Sequence, residues 1–202
     1  MLVLHYTGMV GAEAALDRLC DPAAKVSAHY LIDEDGTVFA LVPEEKRAWH
    51  AGVAAWRGNR DVNARSIGIE LANPGHEFIY RDFPNSQMAA LTDLATDILA
   101  RHAIPSRNVV GHSDLAPDRK LDPGERFDWQ GLAAGGIGLW PARPRDVGED
   151  PMALLAEYGY DVSARHAVAA FQRHFRPGKI DGVLDPETLG LLGGLIESVR
   201  GV

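Results

Sequence analysis

The sequence predicts an α/β fold, with a mixed central β-sheet flanked by helices and a small all-α unit behind it. Two short stretches, residues 1–7 and 66–72, alternate apolar and polar side chains with the period of a strand, and stretches with helical spacing lie between and after them. The last fifty residues carry only helical patterning. Strands interleaved with covering helices specify packed layers, not a barrel or a bundle.

Taken in order, residues 1–7 put Leu2, Leu4 and Tyr6 on one face of a strand and Val3, His5 and Thr7 on the other. Residues 12–20 read as a short helix closed by Asp21-Pro22, with the lone Cys20 expected as a small core residue beside Leu16 and Leu19. Residues 28–33 and 37–42 flank a turn at Asp35-Gly36 and predict a hairpin. A loop rich in Trp, Gly, Asn and Arg fills residues 49–63, and the strand at 66–72 stops at Asn73-Pro74-Gly75. Asn85 or Ser86 is expected to cap a long helix carrying Met88, Leu91, Leu94, Ile98 and Leu99 on one side, stopped by Ile104-Pro105. Residues 108–111 form a short strand that delivers His112, and the glycines of 131–139 read as a connector. Residues 1–141 are thus expected as one domain, 142–150 as a polar linker, and 151–202 as a small helical domain with helices at 151–157, 163–175 and 186–199. Asp185-Pro186-Glu187 has the cap, proline and acid of a helix start. About fifty residues make a marginal core alone, so this domain is expected to dock on the first.

Composition narrows the function. The 202 residues are 46% hydrophobic and 24% charged, as in an ordinary soluble globular protein. A net charge of −8 gives no reason to expect nucleic acid or an anionic membrane as partner. No apolar run approaches the roughly 18 residues of a membrane span. One cysteine excludes an internal disulfide and a thiolate metal cluster. The first residues already read as a strand, with no signal peptide, so the cytoplasm is the expected compartment; the periplasm or cell envelope is the alternative if a leader was removed.

The chemistry gathers in a few positions. His5 sits within a strand pattern, His112 ends another, and Asp122 follows a short loop before Pro123-Gly124. Two imidazoles and one carboxylate are a usual protein ligand set for catalytic zinc, with a fourth position left to water. Singly, each has a plainer explanation: a satisfied core histidine, or an aspartate in a turn. Glu70 points away from Ile67, Ile69 and Leu71, between Gly68 and Ala72, where a carboxylate must be paired, solvated or functional. Lys120, two residues before Asp122, suits an oxyanion in the same cavity, although alone it reads as a surface lysine. Asp114, close after His112, is a candidate to fix an imidazole from outside the ligand set. Trp49 and Trp56 flank a loop that could face sugar rings or anchor the core.

Across residues 1–141 the chain resembles the zinc-dependent N-acetylmuramoyl-L-alanine amidases of the AmpD/AmiD type, whose fold is shared with peptidoglycan recognition proteins. The resemblance rests on Leu4-His5-Tyr6-Thr7, Ser27-Ala28-His29-Tyr30, Trp49-His50-Ala51-Gly52, Ile67-Gly68-Ile69-Glu70, Gly111-His112-Ser113-Asp114 and Lys120-Leu121-Asp122-Pro123-Gly124, in the family's order. It implies zinc on His5, His112 and Asp122, with Glu70 as catalytic acid/base and Lys120 as oxyanion partner. It further implies that His50, Trp56 and Asn73 meet the substrate, a muropeptide or the sacculus. The reaction implied is hydrolysis of the amide between N-acetylmuramic acid, or its 1,6-anhydro form, and L-alanine. A non-catalytic peptidoglycan receptor of the same fold is the alternative, and it is disfavoured because such receptors lack part of this set. Gly159-Tyr160, Val168 to Phe171 with Gln172, Ile180-Asp181-Gly182-Val183, and Thr188 with Leu189 resemble a small peptidoglycan-binding domain; the alternative is a helical appendage that stabilises or dimerises the enzyme.

Overall fold

The computed structural model of the protein describes residues 1–146 and 148–201. Val147, within the expected linker, and Val202, at the end of the expected helical unit, lie outside the described residues.

Five strands form one sheet in the order β3-β2-β4-β1-β5. They are β1 (Leu2–Tyr6), β2 (Tyr30–Ile32), β3 (Val38–Ala40), β4 (Ile67–Leu71) and β5 (Val109–Gly111). β1 runs parallel to β4 and β5, β2 parallel to β4, and the β2–β3 hairpin is antiparallel. The sheet is therefore mixed, as the sequence predicts.

Strand alternation sorts the side chains into two layers. Leu2, Leu4, Ile67, Ile69, Leu71 and Val109 face Leu91, Ala95 and Ile98 of the long helix α2 (Asn85–Arg101). Each fully buried leucine or isoleucine there contributes roughly 1.5–3 kcal/mol. Residue 84, a proline, occupies the cap position of α2 without a side-chain hydrogen bond; Ser86 instead donates to the Glu34 carbonyl at 2.6 Å, tying the helix start to the hairpin. The expectation of an Asn85 or Ser86 cap is thus replaced by a tertiary contact.

On the opposite face, helix α1 (Ala12–Cys20) covers Leu31 and Ala72, while Val3 and Val110 pack against the C-terminal helices. Cys20, expected in the core, is exposed, since α1 buries Ala12 and Ala15 instead. After β5 come the one-turn α3 (His112–Leu115) and α4 (Trp129–Ala134), the latter falling where a connector was expected. The C-terminal helices are α5 (Pro151–Tyr158), α6 (Ala167–Phe175) and α7 (Pro186–Arg200). Asp185 accepts from the Thr188 amide at 3.0 Å, as the start signal at α7 predicts.

These helices share a core with the sheet. Leu154, Leu155, Phe171, Phe175, Leu195 and Ile196 form one buried cluster with Val3, Val110 and Leu115. Ahead of them, residues 143–145 are laid against α7: a methyl group on Gly193 or Gly194 would meet the Arg145 or Arg143 carbonyl oxygen at 2.1 or 2.2 Å. Glycine lets the two backbones touch there. No helix among the described residues is long and apolar enough to cross a membrane.

Candidate active site

In open α/β sheets, sites form outside the carboxyl ends of parallel strands. His5 lies near the end of β1, Glu70 stands beside it in register on β4, and His112 follows β5 directly. The Asp122 loop folds back over this edge, its carbonyl accepting from the Ser113 amide at 2.8 Å.

His5, His112 and Asp122 converge, all three buried. His5 Nδ1 and His112 Nδ1 are 3.0 Å apart, and Asp122 Oδ2 lies 3.0 and 3.1 Å from them. Ligand atoms on a tetrahedral zinc, at bonds of about 2.0–2.1 Å, sit roughly 3.3 Å apart. The triangle is of that size.

The hydrogen-bond network assigns the tautomers. His112 Nε2 lies 2.9 Å from the Ala51 carbonyl, which can only accept, so its proton is there and Nδ1 carries a lone pair. On the other side, Ser66 Oγ donates to the Val62 carbonyl at 2.7 Å. It must then accept from His50 Nε2 at 3.1 Å, which leaves His50 Nδ1 to accept from His5 Nε2 at 2.9 Å. His5 Nδ1 is accordingly a lone pair as well. Three acceptor atoms face one another with no proton between them, an arrangement suited to a cation. Electrostatics agree for His5: burial and the neighbouring His112 push it down to about 4, toward the neutral form that offers a lone pair.

Glu70 belongs to the same cavity. Its Oε2 is buried without a hydrogen-bond partner among the described residues. Desolvation, reinforced by the Asp122 charge and opposed by Lys120, raises its carboxyl well above the usual range. Lys120 lines the cavity with Glu70, and no ion pair engages it among the described residues. The groove has a volume of about 660 Å³. Its mouth carries Val10, Trp49, Phe78 and Leu121, all exposed, with Arg18 and Arg119 among its walls.

The remaining expected residues divide. His50 lines the groove, but both ring nitrogens are committed to His5 and Ser66, so it orients His5 and has no ring nitrogen left for substrate. Trp56 does not meet the groove. It is 1% exposed, packs edge-on against Tyr158 and Tyr160, and donates Nε1–H to Asn108 Oδ1 at 3.2 Å. Asn73 is also buried away from the groove: its Oδ1 accepts from the Gly75 amide and its Nδ2 donates to the Arg81 carbonyl, pinning the turn after β4. Asp114 does fix an imidazole, but that of His174 at 2.8 Å and not that of His112. His29 supports β4, accepting from the Gly68 amide at 2.9 Å.

Sequence reasoning missed His76, which has no motif around it. Its ring stacks on Tyr80 at 4.3 Å and bridges Tyr6 Oη and Glu125 along the groove wall. Asn63 is a second omission: its Oδ1 accepts from the amides of His50 and Ala51, holding the turn that presents the Ala51 carbonyl to His112. Neither role leaves a trace in spacing or periodicity.

Two buried imidazoles and a carboxylate at the carboxyl edge of a parallel sheet, beside a desolvated glutamate and an uncommitted lysine, define a hydrolase site able to hold a metal ion. The N-acetylmuramoyl-L-alanine amidase family matches residues 1–125, and the chain belongs to that family. It is 41% identical to the N-acetylmuramoyl-L-alanine amidase AmiD of Escherichia coli over 98% of this chain and 82% of that protein. To the 1,6-anhydro-N-acetylmuramyl-L-alanine amidase AmpD of Escherichia coli it is 47% identical, over 52% of this chain and 55% of that protein. Among solved structures, AmpDh3 of Pseudomonas aeruginosa superposes with a TM-score of 0.86 at 37% identity, covering 99% of this chain and 92% of that one. AmiD of Escherichia coli, in complex with the substrate anhydro-N-acetylmuramic acid-L-Ala-D-gamma-Glu-L-Lys, gives 0.85 at 39% identity over 98% and 88%.

Proposed function

We propose that this chain hydrolyses the amide bond between the lactyl group of N-acetylmuramic acid, including its 1,6-anhydro form, and the L-alanine of a peptidoglycan stem peptide. The observation that carries the reading is the buried, unpartnered Glu70 oxygen beside the His5–His112–Asp122 triangle. Muropeptides are the substrate class because both AmiD and AmpD are amidases of muramyl-L-alanine, and AmiD is seen with an anhydromuramyl peptide.

His5 Nδ1, His112 Nδ1 and Asp122 Oδ2 would hold zinc, which supplies Lewis acidity and makes water a nucleophile at neutral pH. The protein's own groups carry the protons. Glu70 takes a proton from the attacking water as the new C–O bond forms at the lactyl carbonyl, and its raised pKa suits a base that must hold that proton. Lys120 faces the oxyanion of the tetrahedral adduct. Glu70 then delivers the proton to the alanine nitrogen as the C–N bond breaks, leaving a free lactyl carboxylate and a free peptide amine. Trp49 and Phe78 at the groove mouth offer faces for the sugar or the stem peptide.

The test is mass spectrometry of an anhydromuropeptide and of a muropeptide with reducing muramic acid, each incubated with the protein. Release of stem peptide, abolished by chelation and restored by zinc, supports the reading. Glu70→Gln should bind zinc as tightly as wild type and lose about 10²–10⁴-fold in kcat. Normal turnover by that variant would overturn the assignment.

A further inference from the structure

Helix α3 carries His112 yet is only four residues long. A single turn has no stability of its own, so something else must fix where it sits. On one side the Ser113 amide donates to the Asp122 carbonyl. On the other, Asp114 is 1% exposed and accepts three hydrogen bonds: from the Gly111 amide at 2.7 Å, from Tyr160 Oη at 2.7 Å and from His174 Nδ1 at 2.8 Å. The first closes the turn locally. The other two come from residues 46 and 60 positions later, in the C-terminal helical unit.

Neither donor is free to wander. The His174 ring is stacked between Trp129 at 3.8 Å and Phe175 at 3.9 Å, with interplanar angles of 18° and 12°. Tyr160 packs edge-on to Trp56 and Phe171. Leu115, the last residue of α3, lies in the same apolar cluster as Leu154 and Phe171. A buried carboxylate with three donors is costly to disturb, because losing any one leaves a desolvated charge short of a partner.

We propose that the C-terminal helical unit is a positioning element of the metal site: Tyr160 and His174 clamp Asp114, Asp114 fixes α3, and α3 sets the imidazole of His112. This rests on the reading of His112 as a metal ligand and extends it. The unit is in this sense part of the site's scaffold and not a tethered module, and Tyr160 and His174 are positioning residues with no contact to substrate.

The experiment uses the full-length chain with His174→Leu, His174→Asn and Tyr160→Phe. Zinc affinity is measured by competition with a chromophoric chelator, and urea midpoints are recorded beside it. His174→Leu removes the donor and should weaken zinc binding roughly tenfold, the lower end of what losing an outer partner costs. His174→Asn, whose amide can donate from the Nδ1 position, should recover most of that loss, and Tyr160→Phe should fall between them. If His174→Leu lowers only the urea midpoint and leaves zinc affinity at the wild-type value, the clamp is merely structural and the proposal fails. The ¹⁵N signals of His112 in the metal-free protein test the same ring without zinc. They should shift or broaden in His174→Leu more than those of His29, and unchanged His112 signals would overturn the proposal. Zinc affinity left at the wild-type value by His112→Ala would overturn the ligand reading instead, leaving the His112 signals of the His174→Leu comparison to decide the clamp.

Discussion

Replacing Gly68 by alanine would set a methyl carbon 2.5 Å from Cγ, 2.6 Å from Nδ1 and 2.7 Å from Cδ2 of the His50 ring. Non-bonded carbons rest about 3.5–4.0 Å apart, so the ring would have to move by about 1 Å. It has little room, since it is buried, with His5 and His29 rings centred 5.0 and 5.8 Å away. Gly68 lies in a regular strand, so the effect is steric and owes nothing to glycine's conformational freedom. A shift of this size takes the ring nitrogens off the line from Ser66 Oγ to His5 Nε2, whose links of 3.1 and 2.9 Å tolerate little misalignment. Two costs follow. Overpacking should lower stability by about 1–3 kcal/mol. Loss of the partner that fixes the His5 tautomer should weaken zinc binding about 10–100-fold, or roughly 1.4–2.7 kcal/mol. Urea unfolding of the metal-free protein reads the first, and chelator competition reads the second. A Gly68→Ala protein with wild-type zinc affinity would refute the tautomer chain, whatever its stability.

Trp56→Ala should cost about 3–5 kcal/mol in urea unfolding, as for other buried tryptophans, while KM for a soluble muropeptide stays constant; a raised KM with unchanged stability would return Trp56 to the groove. Trp49→Ala should do the reverse, raising KM severalfold, the roughly 1 kcal/mol of a ring-face contact, with kcat and the unfolding midpoint preserved. In metal-free protein the depressed pKa values of His5, His29 and His50 mean that the unfolded chain takes up protons the folded chain refuses. Stability should therefore fall as pH drops from about 6.5 toward 4. Glu70, with its raised pKa, acts in the opposite sense, so the fall should be steeper in Glu70→Gln; chemical denaturation at pH 7, 5.5 and 4 measures both slopes, and equal slopes would count against the raised Glu70 pKa.

The parts of this site that could be read in the sequence are those whose position follows from alternation along one strand. His5 and Glu70 oppose the apolar face of β1 and β4 by parity alone, and the sheet brings them into register. The parts that could not be read depend on partners distant in the chain. Asp114 invites the assignment of a brace for His112 because it is two residues away, yet its imidazole partner is 60 residues on. Trp49 and Trp56 share one loop and one composition; only the Tyr158–Tyr160 surface, which covers Trp56 and not Trp49, separates anchor from groove wall. The helical unit was legible as helices, whereas the cluster it shares with Val3 and Val110 was not, because either face of a half-apolar strand can meet a helix.

β1 precedes the other four strands of the sheet in the chain and lies inside it, between β4 and β5. Its Leu2 pairs with Ile67 on one side and Val109 on the other, so an emerging chain cannot complete the pairing of this apolar strand until Val109 has been made. The metal triangle closes later still, since Asp122 is 117 residues from His5. Non-local pairing of this kind is slow, and the ion cannot precede it. An ion held by this triangle would thus enter only after the strands have paired, and a chain that stalls earlier exposes an unpaired hydrophobic strand to chaperones and proteases instead of a half-active enzyme to its substrate.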